Sequence, residues 1–217
     1  MSFGLIFGTI GCSEKLAPDT FYRLSADGPA PQALVENPEI GVGPIDMPDY
    51  IDRQELVFQS SESKFEIPSN HRWAGSLQKN ISTVLTTNLA RRMKPFGVVS
   101  YPFANDISPE IRVAIRVHQF HALSGGDAVL EATWFISDGD TEKVRTGSFT
   151  EPLEQDGYEG VVAAKSKLVG KLADAVKKDL EGTIAAREAA GEVSGPEEGG
   201  EESDVSSGEE EGPTESP

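Results

Sequence analysis

The sequence predicts one α+β domain: a mixed, largely antiparallel β-sheet with two amphipathic helices packed on one face. Three observations predict it. Residues 111–150 alternate apolar and polar side chains through three strands separated by Gly-containing turns, as an antiparallel meander with one wet face does. Residues 74–93 and 157–180 instead repeat apolar side chains every three or four positions, the stripe of a helix with one buried side. The uninterrupted meander favours this class over a doubly wound parallel sheet.

Phe21-Tyr22-Arg23-Leu24 alternates and predicts the first strand, and a Pro-rich loop follows over 28–38. Ile40-Gly41-Val42-Gly43-Pro44-Ile45 alternates again. Pro44 and Pro48 cannot donate to a ladder, which places this strand at a sheet edge or makes the prolines its end. Leu56-Val57-Phe58 and Lys64-Phe65-Glu66-Ile67 predict two short strands joined by the hairpin loop Gln59-Ser60-Ser61-Glu62-Ser63. The first helix, Ala74 to Met93, buries Leu77, Ile81, Val84, Leu85 and Leu89 and stops before Pro95. Phe96 to Tyr101 is the next strand, ended by Pro102.

Ile111, Val113, Ile115 and Val117 then share one face, with Arg112, Ala114, Arg116 and His118 on the other. A turn at Ser124-Gly125-Gly126-Asp127 leads into Ala128, Leu130, Ala132, Trp134 and Ile136, and a turn at Ser137-Asp138-Gly139-Asp140 into a strand from Val144 to Thr150. The last helix, Gly157 to Leu180, turns Val161, Leu168, Leu172, Val176 and Leu180 inward, and Gly182 is its predicted stop.

The 217 residues carry a formal net charge of -17. That excludes nucleic acid as a main partner, since neutralising phosphates needs a positive surface. The charge is uneven. Residues 181–217 hold 12 Asp+Glu and one base, Arg187, whereas the preceding residues hold 24 acids and 18 bases. Residues 182–217 are rich in Glu, Gly, Ser and Pro and poor in large apolar groups. They cannot offset the entropy of ordering, so a disordered acidic tail is predicted. It reads as a solubilising tail or, with less support, as a docking arm.

Chemistry is hard to find. The lone Cys12 excludes internal disulfides and multi-cysteine metal sites. There is no nucleophile elbow and no phosphate loop. His118 and His121 stand three apart on a strand and are expected on opposite faces, unable to share a metal. Asp138-Gly139-Asp140-Thr141-Glu142 opens like a calcium loop but lacks the later ligands, so a hairpin turn is expected. No cofactor, metal or catalytic set is assigned, and the protein is read as a non-enzyme.

Two segments are more distinctive. Asp46-Met47-Pro48-Asp49-Tyr50-Ile51-Asp52-Arg53 sets an aromatic and an Asp-Arg pair after a proline-bounded strand. It is either a local ion pair closing a loop or a binding surface. Asn70-His71-Arg72-Trp73-Ala74-Gly75-Ser76-Leu77 opens the first helix, with Trp73 a packing anchor or a ligand platform.

The amino terminus is also unusual. Residues 1–11 are apolar and uncharged, and Cys12 follows Gly11 directly. The run is too short to span a bilayer, which takes about 20 residues. It reads as a signal-peptide remnant whose basic region is lost to a start set too far downstream. Cys12 would then be the lipidated residue and 12–19 a tether to a domain over 20–181. An incidental free cysteine is the alternative.

Taken in order, Val42-Gly43-Pro44-Ile45-Asp46-Met47-Pro48-Asp49-Tyr50-Ile51-Asp52-Arg53, Leu56-Val57 and Trp73-Ala74-Gly75-Ser76-Leu77 resemble the paraquat-inducible auxiliary lipoprotein family. Its members are also described as ABC-type transport auxiliary lipoproteins. Phe21-Tyr22-Arg23-Leu24 and the Trp134 strand fit the same pattern, and the resemblance covers roughly 12–180. It implies a lipid-anchored protein on the periplasmic face of the outer membrane, with a palmitate-class acyl chain on Cys12. It further implies a mammalian-cell-entry-domain membrane protein as partner, lipid transport between the two membranes, and a homo-oligomeric ring. Tyr50, Asp52, Arg53 and Trp73 are the candidate partner-binding residues. The rival reading is a soluble periplasmic peptide- or protein-binding module without a lipid anchor, and a small hydrolase is a weaker third.

Overall fold

The computed structural model describes residues 17–28, 39–123, 126–139 and 141–193. The signal remnant 1–11, Cys12, most of the 12–19 tether, the Pro-rich loop from 29 to 38 and the tail beyond 193 lie outside the described residues.

β7 (Ile111–Leu123) is the strand on which the sheet is built. Along one edge it pairs antiparallel with β8 (Asp127–Ser137), which pairs antiparallel with β9 (Glu142–Pro152). Its other edge is shared. β2 (Ile40–Asp46) runs parallel along the first half, and β3 (Phe58–Ser61) joins parallel at the far end, Phe58 opposite Ala122. β6 (Val98–Ser100) extends the sheet beyond β2, and β4 (Lys64–Glu66) beyond β3. The sheet is therefore forked, mixed and largely antiparallel. A separate parallel ribbon pairs β1 (Thr20–Tyr22) with β5 (His71–Trp73).

Both helices, α1 (Leu77–Arg92) and α2 (Gly157–Val193), pack on the same face and on each other. α1 covers β2 and β6; α2 covers β8 and β9. The stripes predicted from the sequence are the buried ones: Leu77, Ile81, Val84, Leu85 and Leu89 on α1, and Val161, Leu168, Leu172, Val176 and Leu180 on α2. They meet Val113, Ile115, Leu130, Ala132, Trp134 and Ile136 from the sheet. Each fully buried aliphatic contributes roughly 1.5–3 kcal/mol. Polar ties hold the layers in register. Arg92 donates to Asp27 at 2.5 Å and Asp174 at 2.6 Å, and the Trp134 indole N–H donates to Asp179 Oδ2 at 2.8 Å.

Several expectations are corrected. β2 is an interior strand. Pro44 is tolerated there because β6 pairs only with Ile40–Val42, and the β2–β7 register shifts between Val42 and Ile45. Gly43, at φ +119°, sits where a Cβ would come within 2.7 Å of the Tyr101 Cβ, so the shift needs glycine. Leu56 and Val57 precede β3 rather than forming it, and the hairpin turn shrinks to Glu62-Ser63. Residues 71–73 form a strand rather than the opening of a helix; α1 starts after Ser76, whose side chain accepts from Lys79 N–H. α2 continues through Gly182 to Val193, so the folded unit ends later than the glycine suggested.

Candidate functional site

The two distinctive segments, far apart in sequence, lie side by side. Ile51 and Asp52 N–H both donate to Pro48 O at 3.0 Å and close a turn after β2. The chain then runs antiparallel to β5: Trp73 N–H donates to Gln54 O at 2.6 Å, Leu56 N–H to His71 O at 2.9 Å, and Glu55 bridges Arg72.

Their side chains divide between surface and interior. Tyr50 is half-buried on the sheet face away from the helices. Its hydroxyl donates to His118 O at 3.2 Å, and its ring lies 4.8 Å from Phe65 and 6.2 Å from His121. Burial, then the Glu131 carboxylate, pushes its phenol above the ordinary range. Asp52 and Arg53 are exposed, but they are not a pair. The Arg53 Nε donates to Glu55 Oε2 at 3.0 Å and holds that carboxyl below its usual value. Trp73 is 2 % exposed, so it props the corner from inside.

What Trp73 supports is a lysine. Lys165, on the inward side of α2, is fully buried. Its ammonium lies 5.2 Å from the Trp73 ring centre and 5.0 Å from that of Phe120, and among the described residues it forms no ion pair. Burial pushes it down to about 7, as loss of water disfavours the charged form. The apolar stripe carried the signal: position 165 stands four after Val161 and three before Leu168.

His121 is 2 % exposed and was misplaced by the sequence. A bulge between Val117 and Gln119 resets the alternation of β7. Phe120 and Ala122 thereby enter the core, and His118 and His121 share the outer face. Each has its own partner: His118 Nε2 meets Thr133 Oγ1 at 2.8 Å, and His121 Nε2 meets Gln59 Oε1 at 2.9 Å. Among the described residues, His121 Nδ1 has none. Burial, then Lys165, pushes the His121 imidazole down to about 4.

On the helix side, Tyr22 O–H meets His71 Nδ1 at 2.9 Å, and the His71 ring stacks 3.4 Å from Tyr158. Beside this stack a cleft of about 660 Å³ opens between β3–β4 and the first turns of α2. The Asp138 carboxylate accepts from Thr141 N–H at 2.8 Å and builds the β8–β9 turn. Among the described residues, no three His, Cys, Asp or Glu side chains converge to hold a metal, and no helix is long and apolar enough to cross a membrane. The Tyr50 phenol at this corner is tied to a backbone carbonyl, and the Lys165 amine behind it lies between two rings.

Residues 22–177 match the family described as ABC-type transport auxiliary lipoprotein component. The chain belongs to that family. The match runs from β1 through most of α2 and contains both distinctive segments. The chain is similar to the intermembrane transport lipoprotein PqiC of Escherichia coli (strain K12), 22% identical over 173 residues, covering 79% of this chain and 91% of that protein. The Shigella flexneri protein of the same name matches equally. Among solved structures, an uncharacterized protein aligns with a TM-score of 0.65 and 20% identity over 76% of this chain and 99% of its own. A Xanthomonas campestris protein aligns at 0.59 with 14% identity, over 80% and 99%. These likenesses show a shared fold.

Proposed function

We propose that this protein is a non-enzymatic, lipid-anchored component on the periplasmic face of the outer membrane. It serves an ABC and mammalian-cell-entry type system that moves lipids between the inner and outer membranes. The observation that carries this reading is the family match across residues 22–177, which runs from the end of β1 well into α2; the printed name of the E. coli relative agrees with it. Cys12 is the acylated residue. Its acyl chains supply about 0.8 kcal/mol per buried CH₂, so no spanning helix is needed. Residues 12–19 tether the domain that begins at β1, and the acidic tail follows the last helix. Copies assemble as a ring.

The partner is a membrane-anchored protein bearing mammalian-cell-entry domains, met through Tyr50, Asp52 and Arg53, with Trp73 behind them. Tyr50 suits this role because its ring is fixed by Phe65 and His118 O and loses little freedom on binding. A photo-cross-linking residue at position 50, with the partner co-expressed, tests the assignment. A specific cross-link there supports it; cross-links only from other surfaces overturn it.

A further inference from the structure

We propose that the cationic groove between the exit of β1 and α1 docks the acidic tail of this same chain, residues 194–217, as a salt-sensitive latch. The groove holds about 590 Å³ between the segment Arg23–Gly28 and the outer side of α1. Lys79, Thr83, Thr87 and Arg91 recur at every fourth position of α1, which sets them on one stripe about 18 Å long. The first three line the groove, with Arg23 on the facing wall. The Arg91 guanidinium lies against Gly28, where a Cβ would come within 2.9 Å of it.

Charge names the occupant. No Asp or Glu stands between Glu66 and Asp106 in the sequence, and no carboxylate lines the groove. Asp27, which adjoins it, is held by Arg92. Among the described residues outside the core, Arg23, Lys79, Arg91, Lys94, Arg112 and Lys178 are the bases whose side chains have neither an ion pair nor a hydrogen bond. The first four belong to this groove or to the end of α1 beside it. Cations spread along a stripe match carboxylates spread along a chain better than they match one phosphate. No exposed large apolar side chain lines the groove to enter a bilayer.

The tail has the composition and the reach. Residues 194–217 carry nine Asp+Glu and no base. α2 runs past the exit of β1 and then past the end of α1, since Ser25 N–H donates to Ser166 Oγ and Arg92 donates to Asp174. Val193 therefore stands about 28 Å beyond Arg92, and Lys79 about 20 Å behind it, at 1.5 Å per helical residue. An extended chain spans about 3.3 Å per residue, so Glu202 comes within reach of Arg91, and Glu209, Glu210 and Glu211 within reach of Lys79 and Arg23. Attachment keeps the tail at an effective concentration of about millimolar, which a separate acidic partner lacks.

The groove is also held in shape. Ala74 N–H donates to Tyr22 O at 2.7 Å, and Asp27 N–H to Asn88 Oδ1 at 2.9 Å. Preformed walls lower the ordering cost of binding.

The test uses the full-length chain with Cys12→Ala and a nitroxide attached through Ser206→Cys. At low salt the nitroxide should remove about half or more of the amide NMR intensity of Thr83 and Thr87, and about 0.5 M salt should restore it. Arg23→Glu/Lys79→Glu should cut that loss about threefold or more, whereas Arg112→Glu/Lys178→Glu should leave it unchanged. All four positions lie outside the core, so an unchanged Tm separates lost docking from lost folding. Undiminished Thr83 and Thr87 signals at low salt, a loss that survives Arg23→Glu/Lys79→Glu, or a loss abolished by Arg112→Glu/Lys178→Glu would each overturn the proposal. So would broadening of isotope-enriched chains by a nitroxide on a second copy, or groove amides that respond to inorganic phosphate or phosphatidylglycerol vesicles but not to the tail. Cys12 is absent throughout, so this inference and the anchoring assignment fail separately.

Discussion

The Lys165 ammonium lies 5.2 Å from the centre of the Trp73 ring, inside the core and, among the described residues, without a carboxylate partner. The ring faces of Trp73 and Phe120 replace part of its lost hydration, each cation–π contact contributing about 1–2 kcal/mol when desolvated. That is less than a buried charge loses, and the fall to about 7 expresses the deficit.

Lys165 makes stability depend on pH. Between about 7 and its ordinary 10.5 the unfolded chain holds this proton and the folded chain does not. Raising pH over that window therefore favours folding, and below pH 7 the penalty is fully present. Lys165→Met should raise stability by roughly 2–4 kcal/mol at pH 6 and by much less at pH 10. Urea denaturation at both values checks this; an equal effect at both would contradict it.

His121 acts on the acid side. Its folded value of about 4 lies below the ordinary 6.5, so stability falls by about 2–3 kcal/mol as pH drops from 6.5 to 4. His121→Gln should flatten that limb. In Lys165→Met, the imidazole should titrate at higher pH in an NMR experiment, because a neighbouring cation is gone.

Gly182 and Gly160 should respond oppositely to alanine. Gly182 is helical and a Cβ there meets nothing within 4 Å, so Gly182→Ala stabilises by about 0.5–1 kcal/mol. A Cβ at Gly160 would stand 1.9 Å from Gln155 O; Gly160→Ala destabilises by several kcal/mol, on the order of 3. Thermal melts distinguish them.

Two polar contacts should differ in weight. Trp134→Phe leaves the inner oxygen of Asp179 without its donor and costs about 1–3 kcal/mol. Arg53→Ala breaks a surface pair and costs no more than about 1 kcal/mol. Denaturation midpoints check the ranking.

The sheet and both helices were legible because one-sided burial imposes a period. Ile111 to Val117 and Ala128 to Ile136 read as strands, and Leu77 to Leu89 as a helix, from that alone. What escaped reading has no period. The bulge at Val117/Gln119 depends on pairing with β8, so His118 and His121 were assigned to opposite faces. β5 spans only three residues and pairs with β1, some fifty positions earlier. Gly182 reads locally as a stop, yet Leu180 and Thr183 are buried against the sheet layer and carry the helix past it. Of the candidate site, Tyr50, Asp52, Arg53 and Trp73 were visible as two segments. Their adjacency, the replacement of Asp52 by Glu55 as partner of Arg53, and the buried Lys165 required the fold.

The central assignment is the lipid anchor. Growth with an alkyne-bearing palmitate, followed by fluorophore coupling and gel electrophoresis, tests it most directly. The wild type should carry the label in the membrane fraction, and Cys12→Ala should carry none. An unlabelled wild type, or label that survives Cys12→Ala, would contradict the account.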